Sequence, residues 1–452
     1  MHALFFMATI PNVVTTTPAS LTPLLRRATA MALRVQLVLA VAVVMPALGV
    51  AAGGATLGVN YGQVADNLPP PQAAALLLRA LNATKVKLYD ADARVLSAFA
   101  GSGADFTVGL PDRLVPRLAT DPSAAAAWVR ANILPHIPAT SITAVTVGNE
   151  VLTGNDSTML RSLLPAMQSL HAALAACNLT SRVAITTAHS LAVLSSSFPP
   201  SSAAFRRELL PYMTPLLAFL AKTNSPFLIN AYPYFAYKGD PDHVDLNYVL
   251  FEANAGVGDP ATGLHYDNML HAQVDAVRAA ICKANYGKPV EIRVSETGWP
   301  SQGDDDEAGA TPENAARYNG NLMRLVAQGK GTPAAPGEAL QVYVFALFNE
   351  DMKPGPASER HYGLFKPDGT PAYDVGVKSP TMGGSWKGRG NGTSGGGGGL
   401  VVAEGPGGAD GAGQGTGFYT VSAAANKVKR WRCWESLFAT VVLVMASGLC
   451  WS

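Results

Sequence analysis

The chain has 452 residues, 48% of them hydrophobic, and its 33 Lys and Arg against 32 Asp and Glu give a formal net charge of +1. That length and apolar content suffice for a large buried core. So even a charge balance excludes the basic stripe with which nucleic-acid-binding domains attract phosphate, and no nucleic-acid partner is expected.

Residues 1–54 read as an N-terminal extension and a secretory signal. The apolar run over residues 35–52 follows Arg34 and ends in small residues, the pattern of a signal peptide spanning about residues 31–54. Pro46 and Gly49 near its end disfavour a membrane-spanning helix.

Residues 55–377 alternate β-rich and helix-like runs. Strands are expected over residues 56–61, 85–89, 105–110, 142–149, 182–187, 227–232, 290–296 and 341–348. Helices are expected between them, over residues 71–81, 124–137, 159–177, 205–222, 266–285 and 312–328. Eight such strands alternating with helices are the pattern of an α/β (β/α)8 TIM barrel. A doubly wound open sheet is the competing architecture, but GVNYG after the first strand lacks the glycine spacing of a phosphate-binding turn. The stretch 240–263 is too long for a simple connection and is expected to form an excursion on the rim.

Residues 378–421 are Gly-rich, including the five glycines at 395–399, and are expected to form a flexible linker. Residues 422–452 then present small residues, a polar spacer and a terminal apolar tail. That order is the pattern of a glycosylphosphatidylinositol (GPI) attachment signal, removed in the mature protein, with Ser422, Ala423, Ala424 and Ala425 as attachment candidates. The expected location is the outer face of the plasma membrane, facing the cell wall. Asn82, Asn155, Asn178 and Asn391 begin N-glycosylation triplets, which fits a secretory route.

Of four cysteines, Cys433 and Cys450 lie in the tail, while Cys177 and Cys282 fall on separate helices and are expected to be unpaired buried thiols. Neither CxxC pairs nor HExxH spacing occurs, so no metal and no cofactor are expected. His189 and Ser190 lack the GxSxG elbow of a serine hydrolase.

The chemistry gathers at strand ends. ITAVTVGNE over residues 142–150 delivers Asn149 and Glu150 at the C-terminal end of the fourth strand, and VEIRVSETGWPS delivers Glu296 at the end of the seventh. In a barrel these ends face one mouth, so two distant carboxylates can act on one bond. One would give a proton to a glycosidic oxygen while the other attacks the anomeric carbon or activates water. A separation of about 5–5.5 Å would imply retention of configuration and about 6.5–9.5 Å inversion. Glu350 ends the eighth strand with Lys353 beside it, and a supporting ion pair is expected there. Tyr232 and Trp299 are expected in the cleft, where aromatic faces stack on sugar rings; Asn149 can hydrogen-bond a sugar hydroxyl.

The motifs GVNYG, KLYDAD, TVGNEV, INAYPYF, SETGWPS, ALFNED and HYGLFKPDG, in this order over about residues 55–375, resemble the family-17 glycoside hydrolases, the plant glucan endo-1,3-β-glucosidases. The resemblance implies a retaining endo-hydrolase of internal β-1,3-glucosidic bonds in callose-like cell-wall glucan. It places the proton donor, the acid/base, at Glu150 and the nucleophile at Glu296. It matches Glu350 and Lys353 to an acidic and basic pair at the cleft, and Tyr89, Asn149 and Tyr232 to cleft residues. Two departures stand out: Lys87 where Arg is commoner, and TTAHS around His189, which lacks the usual Pro. The cysteine-rich binding module of some members is not expected. The implied partners are β-1,3-glucan and, through the lipid, a membrane; the protein is expected to be a monomer. A glucan-binding wall protein with little turnover and a β-1,3-glucan transglycosylase are the competing readings.

Overall fold

The computed structural model describes residues 57–285 and 289–376. The segments expected to be signal, linker and lipid-attachment signal, with Asn391, lie outside them.

Eight strands form the frame: β1 (Leu57–Asn60), β2 (Lys85–Lys87), β3 (Asp105–Leu110), β4 (Ser141–Asn149), β5 (Ala184–Ser190), β6 (Phe227–Asn230), β7 (Ile292–Thr297) and β8 (Val342–Val344). Each pairs in parallel with its neighbours in chain order, and β1 pairs with both β2 and β8, which closes the barrel. An open sheet would leave β1 or β8 with a free edge, so the doubly wound alternative is excluded. Inside the barrel the Tyr343 ring lies directly over Gly58, where a Cβ would collide with it, and the Tyr343 hydroxyl meets Thr107 Oγ1 at 3.3 Å. A glycine on one strand thus makes room for a large ring from the next.

The helices that follow the strands start where short polar side chains cap them. Asp121 accepts from Ser123 N and Ala124 N at the start of Pro122–Asn132, and Asp156 accepts from Thr158 N and Met159 N at the start of Ser157–Ala176. Thr311 does the same for Pro312–Ala327, whose first residue is a proline that has no N–H to leave unpaired. Their apolar faces and the outer faces of the strands bury one continuous core.

Two register shifts matter most. β4 slips against β5 between Thr146 and Asn149, and β7 slips against β6 between Val294 and Glu296. Bulges of this kind re-aim the side chains beyond them. Both lie at the strand ends that carry Glu150 and Glu296.

The excursion over residues 240–266 contains the short helix Leu246–Val249 and a hairpin of Val257–Gly258 with His265–Tyr266. Its buried Asp259 accepts from Ser201 N and Ser201 Oγ, both at 2.8 Å, and so ties the excursion to the loop after β5. Asn82, Asn155 and Asn178 are all exposed. The cysteine expectation needs correcting. Cys177 is a free thiol, but Cys282 is disulfide-bonded, and both are half-buried rather than buried in the core. Among the described residues no helix is long and apolar enough to cross a membrane.

Candidate active site

Glu296 sits at the centre of the barrel mouth with 1% of its surface exposed. Lys87 Nζ donates to its Oε1 at 2.7 Å, the Tyr89 hydroxyl donates to the same oxygen at 2.7 Å, and the Tyr232 hydroxyl donates to Oε2 at 3.0 Å. A buried carboxylate survives only when paired and hydrogen-bonded, and these three donors from β2 and the loops after β2 and β6 meet that need. Burial, reinforced by the charge of Glu296, holds both phenols well above their ordinary range, so they remain donors.

Glu150 stands differently. Its backbone is left-handed, with φ 53° and ψ 25°, a conformation that costs a non-glycine residue free energy and is tolerated where surroundings enforce it. They do so here. Glu150 N donates to Ala188 O at 3.0 Å, Thr153 Oγ1 donates to Glu150 O at 2.8 Å, and Asn149 N donates to Asp112 Oδ1 at 2.9 Å. Gly148, with φ +64°, takes the left-handed backbone within the register shift just before Glu150. Asn230 Nδ2 donates to Glu150 Oε1 at 2.8 Å. Burial of the carboxyl and then the charge of Glu296 raise its pKa to about 7, against the opposing effects of Asn230 and Lys87.

Asn230 joins the two acids. It pairs in register with Glu296 across β6 and β7 while its side chain reaches Glu150. One carboxyl is therefore ion-paired and the other is pushed toward its neutral form. That division of labour is what a proton donor and a nucleophile require.

The remaining expected site residues lie around this pair. Asn149 is half-buried beside Glu150, and its buried Oδ1 accepts no hydrogen bond among the described residues. Glu350 and Lys353 are both buried, but their ion pair is loose at 3.7 Å. Glu350 Oε1 instead accepts from Val64 N at 2.7 Å, tying the loop after β1 to the loop after β8. Lys353 Nζ lies over the Phe345 ring at 4.1 Å from its centroid. Trp299 corrects the sequence expectation of a sugar platform. It is fully buried, enclosed by Tyr234, Tyr237 and Tyr318, and its Nε1 donates to Gly309 O at 2.8 Å. It supports the loop after β7 through Gly309, which lies against the indole. Phe235, by contrast, is exposed on the rim with its ring 5.3 Å from that of Tyr232.

Sequence reasoning missed four residues. Lys87 drew notice only as a departure from Arg. Asn230 and Ser295 stand inside motifs already quoted, INAYPYF and SETGWPS, at the strand-end positions where site residues gather. Glu359 carried no signal, being a lone acid in a loop. It is buried on the 3-10 turn Ala357–Arg360, and burial raises its pKa to about 7 despite Lys353 nearby.

Comparison with known proteins agrees with this arrangement. The model of "Glycosyl hydrolases family 17" matches residues 57–377. Glucan endo-1,3-beta-glucosidase 11 of Arabidopsis thaliana is 55% identical over 323 residues, covering 71% of this chain and 75% of its own. Glucan endo-1,3-beta-glucosidase 14 of the same plant is also 55% identical, over 72% of this chain and 83% of its own. Among solved structures, CJP38, a beta-1,3-glucanase and allergen of Cryptomeria japonica pollen, matches with a TM-score of 0.68 at 38% identity, covering 71% of this chain and 99% of its own. With the barrel, the paired acids and a family match over the whole described region, the chain belongs to the family 17 glycosyl hydrolases.

Proposed function

We propose that this enzyme hydrolyses internal β-1,3-glucosidic bonds of cell-wall glucan of the callose type, by two steps through a covalent glycosyl-enzyme. Membership of a glycosyl hydrolase family and relatives named as glucan endo-1,3-beta-glucosidases support the substrate class. The observation that carries the roles is the unlike environment of two acids bracketing Asn230.

Glu296, hydrogen-bonded by Lys87 and two phenols, attacks the anomeric carbon while Glu150 gives its proton to the departing oxygen. Water then adds to the same carbon with Glu150 as base, and Glu296 is released. Asn149, half-buried beside Glu150, is the proposed partner of a sugar hydroxyl. Glu350 and Lys353 hold the rim.

Glu296→Gln removes the nucleophile with little change of shape and should abolish release of reducing ends from a soluble β-1,3-glucan. Wild-type activity in that variant would overturn the assignment. From the sequence of residues 31–54 and 422–452 we further propose export and attachment by a GPI lipid at the outer face of the plasma membrane. There the enzyme would act on the adjoining wall as a monomer.

A further inference from the structure

From Ser295, the residue before Glu296, a short chain of hydrogen bonds runs through Asn230 to Glu150. Ser295, fully buried one residue before Glu296, donates its hydroxyl to Asn230 Oδ1 at 2.7 Å, and Asn230 Nδ2 donates to Glu150 Oε1 at 2.8 Å. The carbonyl of Ser295 accepts from Asn60 Nδ2 at 3.0 Å, which fixes the strand end from inside the barrel.

An amide presents a donor on one side and an acceptor on the other, and the two orientations have opposite effects on Glu150. With NH2 toward Glu150, Oε1 is an acceptor, so the proton of the neutral acid rests on Oε2. With C=O toward Glu150, the acid would spend its proton on the amide, and once ionised it would face a carbonyl oxygen. Orientation of Asn230 thus decides which oxygen of Glu150 delivers the proton.

We propose that Ser295 is a positioning residue for the acid/base: its hydroxyl holds the Asn230 amide with NH2 against Glu150 Oε1, leaving Oε2 as the oxygen that gives and regains the proton. The proposal rests on Glu150 being the acid/base. In the first half-reaction the O–H bond at Oε2 and the glycosidic C–O bond break as Glu296 bonds to the anomeric carbon; the Asn230 N–H steadies the carboxylate left on Glu150. In the second, water returns a proton to Oε2 while its oxygen bonds to that carbon and the bond to Glu296 breaks. The same amide bond therefore serves both halves.

The charged groups facing Glu150 are Glu296 from β7, Lys87 from β2 and Glu359 from the 3-10 turn. Ser295→Ala alters none of them, so a change in the titration of Glu150 reports on Asn230.

The test is the pH profile of kcat/KM on a soluble β-1,3-glucan for the full chain and its Ser295→Ala, Glu150→Gln and doubly substituted forms. Ser295→Ala should lower kcat about tenfold, the value of one hydrogen bond at a reacting group, with KM little changed. Its alkaline limb should move up by on the order of half to one pH unit, because the ionised acid loses a donor. In the Glu150→Gln background the same change should have no further effect. A loss that is uniform across pH, with the limb unmoved, overturns the role of Ser295 while leaving that of Glu150 intact. Full activity of Glu150→Gln overturns the acid/base reading itself. If Ser295→Ala fails to fold, Ser295→Cys, a weaker donor of similar size, should give a smaller shift in the same direction, and an unmoved limb there overturns the proposal equally.

Discussion

Glu150 and Glu296 have the same side chain and lie at the ends of the fourth and seventh strands of one barrel, yet their surroundings suit them to the opposite tasks of the proposed reaction. Glu296 is enclosed with a cation and two phenols, whereas Glu150 has one amide donor and a pKa raised to about 7. An acid must be protonated to act, so kcat/KM should fall as pH rises through about 7, and the alkaline limb belongs to Glu150. Glu150→Gln should slow cleavage of β-1,3-glucan by about 10²–10⁴-fold, the usual worth of a positioned acid. Aryl β-laminaribiosides with acidic leaving groups should still release a burst of phenol, since such groups depart without a proton. Equal losses on both substrates would count against the role. The position of each acid at a strand end was legible in the sequence. Their environments were not, because Lys87, Tyr89, Asn230 and Tyr232 come from other strands and loops, and nothing in 1-D spacing says which of them converge.

At the scale of elements, the loop between β7 and Pro312–Ala327 is fastened by Glu307. Its Oε1 accepts from Lys238 Nζ at 2.7 Å and Ser358 Oγ at 2.6 Å, and its Oε2 accepts from Ser358 N at 2.9 Å and Asp304 N at 3.1 Å. One carboxylate thus joins the loop after β7, the helix Pro233–Gly239 and the turn bearing Glu359. Burial works to raise its pKa, but Lys238 and Ser358 outweigh it and bring the value down from 4.5 to about 2. A depressed acid adds stability above its unfolded pKa and loses it as pH falls toward the folded one. Glu307→Gln should therefore lower stability at pH 6 by about 1.5–3 kcal/mol, with the gap closing between pH 4.5 and 2. Urea midpoints at several pH values would measure it; a gap independent of pH would refute the electrostatic account.

His189 on β5 behaves in the opposite sense to a surface histidine. It is fully buried, stacked on Phe227 with ring centroids 4.6 Å apart, and among the described residues neither ring nitrogen has a hydrogen-bond partner. Burial lowers its pKa from 6.5 to about 3, so its neutral form adds stability above pH 6.5 that is lost as pH falls toward 3. His189→Leu should melt higher than wild type at pH 4.5 by a wider margin than at pH 7, as calorimetry can show. Strand boundaries illustrate the same limit of local reading. β3 occupies Asp105–Leu110, as its apolar run indicated, but β5 continues past the expected end at 187 because Ala188, His189 and Ser190 find partners in Leu228, Ile229 and Asn230. β8 shortens to Val342–Val344, although Phe345 N still donates to Thr297 O on β7 and Leu347 N to Asn60 O on β1.

For the whole molecule, the lipid attachment proposed from residues 422–452 carries a direct test. Phosphatidylinositol-specific phospholipase should release the enzyme, active, from isolated membranes, and retention on them would count against a cleavable GPI lipid. By itself the sequence determined the barrel, its strand count and the two acids at its rim, because strand periodicity and strand-end position are local properties that a linear pattern records. Tertiary structure alone decided which acid is ion-paired and which is raised in pKa, that Trp299 is support and not platform, and that Asn230 and Ser295 stand between the carboxylates. Those facts depend on register shifts and side-chain convergence across the barrel, where residues more than a hundred positions apart set each other's charge.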